Sequence, residues 1–224
     1  MNEQTRTVPE EKFEVELVDD KTQNDISIKV LVIGDVEVGK TTIFNQFTKH
    51  EFYPSYSPTT GYNFFFVKLK TNNKVMKLQI WDTSGNPSYR ANCLQWCRNS
   101  GLCIVVYSVT NLDSFNNVKI WINDLRANNS DAPIVLLGNQ SDDEENRAVT
   151  KEMEEKIKEE YNLEFFEEVS AKNGFDQKDN FVFKIAKILY YNLINDAESG
   201  YYTMNESIRL ESPKKKGEKI DCKC

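Results

Sequence analysis

A chain of 224 residues, 39% hydrophobic and 28% charged, fits one domain of ordinary size carrying polar ends. Its formal net charge of -7 argues against DNA or RNA as a partner. No stretch approaches the ~18 apolar residues of a membrane span, the acidic start does not read as a signal peptide, and Asn2 is not expected to be myristoylated.

Residues 1–25 hold eight acids and three bases, so -5 of the net charge sits there. Phe13, Val15 and Leu17 alternate as in a short strand or a docking segment, but so little apolar surface favours a disordered extension. From 26 to 194 strand and helix patterns alternate. The first strand is the apolar run 26–33, followed by Gly34-Asp35-Val36-Glu37-Val38-Gly39-Lys40-Thr41 and a helix with Ile43, Phe44 and Phe47 on one face. Residues 61–69 and 74–81 read as a hairpin around the turn 71–73. The continuous apolar runs 102–107 and 133–137 suit buried parallel strands. Between them lies a helix with Phe115, Val118, Ile122 and Leu125 on one face, after which Thr150 can cap a charged helix running to Tyr161. A last strand at 164–169 precedes a helix carrying Phe181, Val182, Ile185, Ile188, Leu189 and Leu193. The pattern predicts an α/β, doubly wound, mostly parallel sheet of six strands flanked by about five helices. Residues 195–224 lose periodicity and read as a flexible tail with the cluster Lys214-Lys215-Lys216.

Doubly wound sheets bind ligands at the C-terminal ends of their strands, so the polar motifs there carry the functional reading. Residues 34–41 fit G-x-x-x-x-G-K-[ST], the phosphate-binding loop, in the strand–loop–helix context that it requires. Its backbone N–H groups and the helix N-terminus favour bound phosphate. Lys40 would reach the terminal phosphates, and the Thr41 hydroxyl would ligate Mg²⁺, with Thr42 next in the cradle. After the third strand, Asp82 can hold Mg²⁺ through water, and Gly85 can bring its N–H to a terminal phosphate. Thr59 is a second candidate Mg²⁺ ligand. After the fifth strand come Asn139, Gln140 and Asp142. A carboxylate at Asp142 can accept from the N1–H and N2–H₂ donors of guanine, a pair that adenine lacks. Ser170-Ala171-Lys172, after the sixth strand, can offer an N–H to guanine O6. Each motif is weak alone, and their order at successive strand ends makes them strong together. The lone His50 forms no triad or metal cluster and reads as a surface residue. Five cysteines without framework spacing fit a reducing, cytosolic setting.

From about 26 to 194 the chain resembles a Ras-superfamily small GTPase, and more narrowly a Rab. The resemblance rests on the loop 34–41, Phe47, Phe52, Pro58-Thr59-Thr60-Gly61, Lys77-Leu78-Gln79-Ile80-Trp81-Asp82-Thr83, Val106-Tyr107-Ser108-Val109-Thr110, Ser114-Phe115 and Trp121. It implies a monomeric switch for membrane traffic that binds GTP and GDP with Mg²⁺ and hydrolyses GTP. A first switch (around Tyr56 to Phe64) and a second (around Asp82 to Arg98) would order around the γ-phosphate and meet an exchange factor, an activating protein and effectors. Cys222-x-Cys224 resembles the doubly geranylgeranylated Rab end. That implies a prenyl-binding escort protein and a peripheral place on the cytoplasmic face of an intracellular membrane. Two chains satisfy the requirement for stable anchoring, and five lysines against Glu218 and Asp221 leave residues 212–224 at +3.

Four positions depart from the family. The glutamine that orients the attacking water is here Asn86, followed by Pro87, and one missing methylene retracts the amide by ~1.5 Å. Val36 replaces a small residue near the γ-phosphate. Glu37 replaces a glycine. Aimed at the phosphates it would add ~4 kcal/mol of repulsion, and a solvent-facing side chain is the favoured reading. Gln140 replaces the lysine of N-K-x-D. Binding with slow hydrolysis is therefore expected, with Asn86 and Gly85 at the catalytic position. A non-cycling scaffold that recruits partners at membranes is the alternative.

Overall fold

A computed structural model describes residues 13–53, 58–72, 74–128, 132–175 and 180–199. The lysine cluster 214–216, Cys222, Cys224 and Tyr56 lie outside the described residues.

Apolar side chains alternate between the two faces of the first long strand, and this builds the fold. That strand is β2 (Ile26–Gly34). Its Ile26, Ile28, Val30 and Val32 join one core, and its Leu31 and Ile33 join the other. A strand buried on both faces reads as a continuous apolar run, which the sequence shows. The other long strands are β3 (Tyr62–Thr71), β4 (Lys74–Thr83), β5 (Leu102–Ser108) and β6 (Ile134–Asn139), with the shorter β1 (Val15–Leu17) and β7 (Phe165–Glu168) at the edges. Their order is β1-β3-β4-β2-β5-β6-β7. β2 runs parallel to both β4 and β5, while β3 is antiparallel to β4. The chain passes to one side of β2 and then returns to the other, so the switch point lies at the C-terminal end of β2.

Helices α1 (Lys40–Lys49) and α6 (Phe181–Ser199) cover the first face, where Phe44, Phe47 and Phe181 meet at centroid distances of 6.0 Å. The second face is covered by α4 (Val118–Asn128) and α5 (Lys151–Tyr161), through Trp121, Ile122, Leu125 and Ile157. The short α2 (Arg90–Gln95) follows β4. The helix expected through Phe115 and Leu125 is broken at Asn117 into α3 (Leu112–Asn116) and α4. No described helix is long and apolar enough to cross a membrane.

The sheet has a seventh strand, and it corrects the expectation that residues 1–25 are disordered throughout. Val15 pairs with Thr71 and Leu17 with Leu69, and the Val18 N–H donates to the Lys68 carbonyl at 3.0 Å. The apolar surface that this segment lacks comes from α6, where Phe13 packs on Tyr190 at 5.3 Å and Tyr191 at 5.7 Å. The sheet therefore reaches back to Val15.

One buried acid sits behind the strand ends. Glu154 of α5 is 0% exposed. The Tyr107 hydroxyl donates to its Oε1, while its Oε2 has no partner. Glu168 and Arg147 are the charged neighbours, and Arg147 is forked on Glu168 and Glu144. Burial, with the Glu168 carboxylate adding to it, pushes Glu154 from 4.5 up to about 7. The folded state therefore holds this proton where the unfolded chain has lost it. The group's contribution is full below pH 4.5 and disappears as pH rises through 7. Unfolding free energy from urea melts should fall by roughly 2–3 kcal/mol between pH 5 and 8 on this account. Glu154→Gln, a permanently neutral side chain, should flatten that slope, and an unchanged slope would show that Glu154 is not its source.

Candidate functional site

Five strand ends and one helix N-terminus meet in a cleft of about 690 Å³. Gly39 ends the loop 34–41 at φ 88°, and a Cβ there would lie 2.2 Å from Asn139 Nδ2. Only glycine fits. Gly39 supplies no side-chain cap to α1, and the first turn of α1 holds no acid, so its leading N–H groups and dipole are available to an anion. Lys40 is 6% exposed, and its Nζ donates to the carbonyls of Gly34 at 2.9 Å and Asp35 at 2.5 Å. Burial pulls Lys40 down to about 8, against the opposing charges of Asp82 and Asp35. Val36 and Glu37 are exposed at the rim. Glu37 adopts a left-handed φ of 65°, a conformation that costs a non-glycine residue ~1–2 kcal/mol.

Beside the lysine, three predicted oxygens converge. Thr41 Oγ1 donates to Asp82 Oδ2 at 2.6 Å and lies 2.8 Å from Thr59 Oγ1. Asn63 Nδ2 donates to the same Asp82 oxygen at 3.3 Å, a contact that the sequence did not reveal. Asp82 is 0% exposed, and its Oδ1 is buried without a partner. Burial raises its pKa, while the Thr41 hydroxyl and the Lys40 charge lower it. An orphaned carboxylate oxygen beside two hydroxyls is an all-oxygen donor set, the kind that suits a hard divalent cation such as Mg²⁺.

The other end of the cleft is held by Asn139, which is 3% exposed. Its Nδ2 donates to the Val38 carbonyl at 2.9 Å, and its Oδ1 accepts from the Ala171 N–H at 3.2 Å. One side chain thus ties the loop 34–41 to the segment after β7. Asp142 accepts from Ser170 Oγ at 2.6 Å and pairs with Lys172 Nζ at 3.2 Å. The Ser170 hydroxyl, with Lys172 behind it, holds the Asp142 carboxyl below the usual range. Gln140, at φ 67°, accepts from the hydroxyls of Ser108 and Thr110 and donates to the Glu37 carbonyl at 3.5 Å.

The cleft brings together Val36, Glu37, Gly39, Lys40, Thr41, Thr42, Thr59 and Gly85 with Asn139, Gln140, Asp142, Ala171 and Lys172. Gly34, Val38, Asp82 and Ser170 do not line it. They support it from behind through the Lys40, Asn139, Thr41 and Asp142 bonds just described. Asn45, Glu51, Phe52, Tyr53, Thr110 and Asp143 line it as well. Among these, Phe52 and Thr110 carried a signal in the sequence.

Asn86 does not line the cleft and is exposed. Its Oδ1 accepts from the Ser88 N–H at 2.9 Å, capping the single 3₁₀ turn Pro87–Tyr89 with proline in its first turn. Nearby, Tyr62, Phe64 and Phe66 are 43%, 42% and 50% exposed along β3. Phe64 packs edge-on against Trp81 at 4.3 Å, and Tyr62 against Trp96 at 4.7 Å. A contiguous exposed aromatic strip of this kind marks an interaction surface.

A sequence model of the Ras family matches residues 29–190. The chain is 34% identical over 166 residues to the Ras-related protein SEC4 of Candida albicans strain WO-1, covering 74% of this chain and 78% of that protein. Proteins of the same name from Candida albicans and from its strain SC5314 give the same identity and coverage.

Asn139→Ala would leave the Val38 carbonyl and the Ala171 N–H without their partner. At ~1–3 kcal/mol for each of these two buried groups, urea unfolding should show a loss of about 2–6 kcal/mol. A loss below about 1 kcal/mol would mean that another group spans the two segments.

Proposed function

This chain belongs to the Ras family, as a divergent member of Rab type, and on that premise we propose that it is a GTP- and GDP-binding switch for membrane traffic whose hydrolysis step is slow. The observation that carries the binding half is the convergence on one cleft of Lys40, Thr41, Thr59 and the Asp142 carboxylate, with Asp82 bonded behind Thr41. The N–H groups opening α1 and the Lys40 ammonium hold the phosphates. An anion restores to Lys40 the favourable surroundings that burial removes. Thr41, Thr59 and Asp82 would hold Mg²⁺, which when bound neutralises phosphate charge. Asp142, kept ionised by Ser170 and Lys172, accepts from the N1–H and N2–H₂ groups of guanine and would leave lone pairs unpaired against adenine.

The slow half is supported by Asn86. A glutamine at this position orients the attacking water through its carboxamide. Asn86 is one methylene shorter, lies outside the cleft, and already uses its oxygen on Ser88. Pro87 fixes φ just after it and so holds that turn in place. Effectors, an exchange factor and an activating protein would meet the switch regions, and the aromatic strip Tyr62–Phe64–Trp81–Trp96 supports that surface. Cys222 and Cys224 would carry prenyl groups that bring an escort protein and hold the protein on the cytoplasmic face of an intracellular membrane.

Denaturing the purified chain should release a guanine nucleotide, and single-turnover GTP hydrolysis should run slower than in a family member with glutamine at the catalytic position. Asn86→Gln combined with Glu37→Gly should raise that rate on the order of a hundredfold, about two 1.4 kcal/mol steps in the barrier. An adenine nucleotide would overturn the guanine assignment. An ordinary rate in the unaltered chain would overturn slow turnover. No nucleotide bound or taken up would favour the non-cycling scaffold.

For the tail, replacing both Cys222 and Cys224 by serine should move the protein from the membrane pellet to the soluble fraction of its own cells. Unchanged partitioning would remove prenylation from the proposal.

A further inference from the structure

Asp35 lies inside the phosphate loop, yet its side chain is absent from the cleft lining. Both of its carboxylate oxygens are engaged on the other side. Trp121 Nε1 donates to Oδ1 at 2.7 Å, and Asn117 Nδ2 donates to Oδ2 at 2.7 Å. The two donors stand four residues apart, one helical turn, so they present one N–H to each oxygen. Trp121 is 4% exposed, and the opposite use of its indole is at the ring face. The Arg90 guanidinium sits 4.9 Å from the ring centroid, and Arg90 Nε donates to Asp124 Oδ2 at 2.7 Å. Arg90 opens α2, the helix of the second switch.

One indole therefore touches both the phosphate loop, at its edge, and the segment that opens α2, at its face. The contacts reinforce each other. A carboxylate on the N–H pushes electron density into the ring, which strengthens its attraction for the guanidinium. The backbone of Asp35 adds a second link: its carbonyl accepts from Lys40, and a Cβ on Gly85 would lie 2.3 Å from that same oxygen. Asp35 is thus fixed by groups that hold phosphate and by groups that hold the switch.

We propose that Asp35, Trp121 and Arg90 form one positioning unit, in which freeing Arg90 from the indole and Asp124 loosens the phosphate loop and speeds nucleotide release. The inference rests on the GTPase reading above. None of the three touches bound nucleotide in that reading, so each acts through the loop. The unit also names the kind of regulation that the site accepts: a partner that draws Arg90 away, by offering it a carboxylate of its own, opens the far side of the cleft.

The test uses the full chain and two variants. Trp121→Phe removes the N–H while keeping an aromatic face, and Arg90→Gln removes the cation at a position about one third exposed. Amide hydrogen exchange followed by mass spectrometry reads the loop with or without bound nucleotide. Arg90→Gln should raise exchange in residues 34–40, which Arg90 does not contact, and Trp121→Phe should raise it in residues 84–95. The expected increase is on the order of tenfold, the size of one hydrogen bond to a carboxylate. Release of a fluorescent GDP analogue should quicken by a similar factor. The double variant should go no further than the larger single one, because both cut the same unit. Arg90→Lys, which keeps the cation, should return most of the native protection and slow release. Exchange that rises only in 90–98 after Arg90→Gln, or effects that add in the double variant, would overturn the proposal. The expected exchange pattern in a chain that retains no guanine nucleotide would support the unit and overturn the GTPase reading instead.

Discussion

Lys40 is a cation almost fully removed from water, and the shape of the site follows from how the chain accommodates it. Its ammonium has three donors, and two are met by the carbonyls of Gly34 and Asp35. Those carbonyls must turn inward, which sets the path of the loop between β2 and α1. A loop turned this way aims its N–H groups at the cleft rather than at the sheet. Burial still leaves the ammonium at a disadvantage, with a pKa near 8. The missing compensation is negative charge at the third donor, and the open N-terminus of α1 faces the same requirement. On the proposed reading, one ligand, a polyphosphate, would complete both the lysine and the helix end.

The neutral amide at Gln140 shows how the site tolerates a departure that looked damaging. A lysine there offers only donors. Gln140 offers both, accepting from Ser108 and Thr110 while donating to Glu37. It therefore stitches the β5 end, the β6 end and the phosphate loop together at one point. Glu37 is the strained partner, left-handed without being glycine, and its carbonyl is the group Gln140 reaches. Its exposed side chain fits the solvent-facing reading, so the 4 kcal/mol repulsion estimated for a phosphate-facing carboxylate drops to a screened remainder.

What could be read in the sequence was whatever depended on local spacing. The loop 34–41, the strand-end positions of Asp82 and Asp142, and the doubly buried strands are periodic or motif-bound, and each stands where the spacing placed it. What could not be read depends on partners far along the chain. β1 is held by Lys68, Leu69 and Thr71 and by aromatics of α6, more than 170 residues after Phe13. Nothing near Phe13 announces them. Asn63 reaches the site only because the antiparallel pairing of β3 with β4 sets it opposite Asp82. Glu154 sits in the most highly charged helix of the chain, where a charge normally means solvent. Its burial follows from the Tyr107 hydroxyl that waits under α5.

If hydrolysis is slow as proposed, whether Asn86 falls short through its cap or through its length can be decided by magnitude. Giving up the bond to Ser88 costs about 1 kcal/mol, the usual value of such a cap, and would slow a reaction by roughly fivefold. The missing methylene leaves the carboxamide ~1.5 Å short. Misplacement of a reacting or orienting group by ~1 Å costs on the order of a hundredfold. Length is the larger obstacle, and the cap adds to it without creating it. On the proposed reading, freeing the amide by replacing Pro87 leaves turnover slow, while restoring the methylene returns most of what was lost. The contrast with Lys40, Asp82 and Asn139 is one of burial. The groups proposed to hold nucleotide are fixed in the interior by bonds on several sides, whereas the Asn86 carboxamide is exposed and bonded to Ser88. On that reading, binding persists in a chain whose catalytic step is weak.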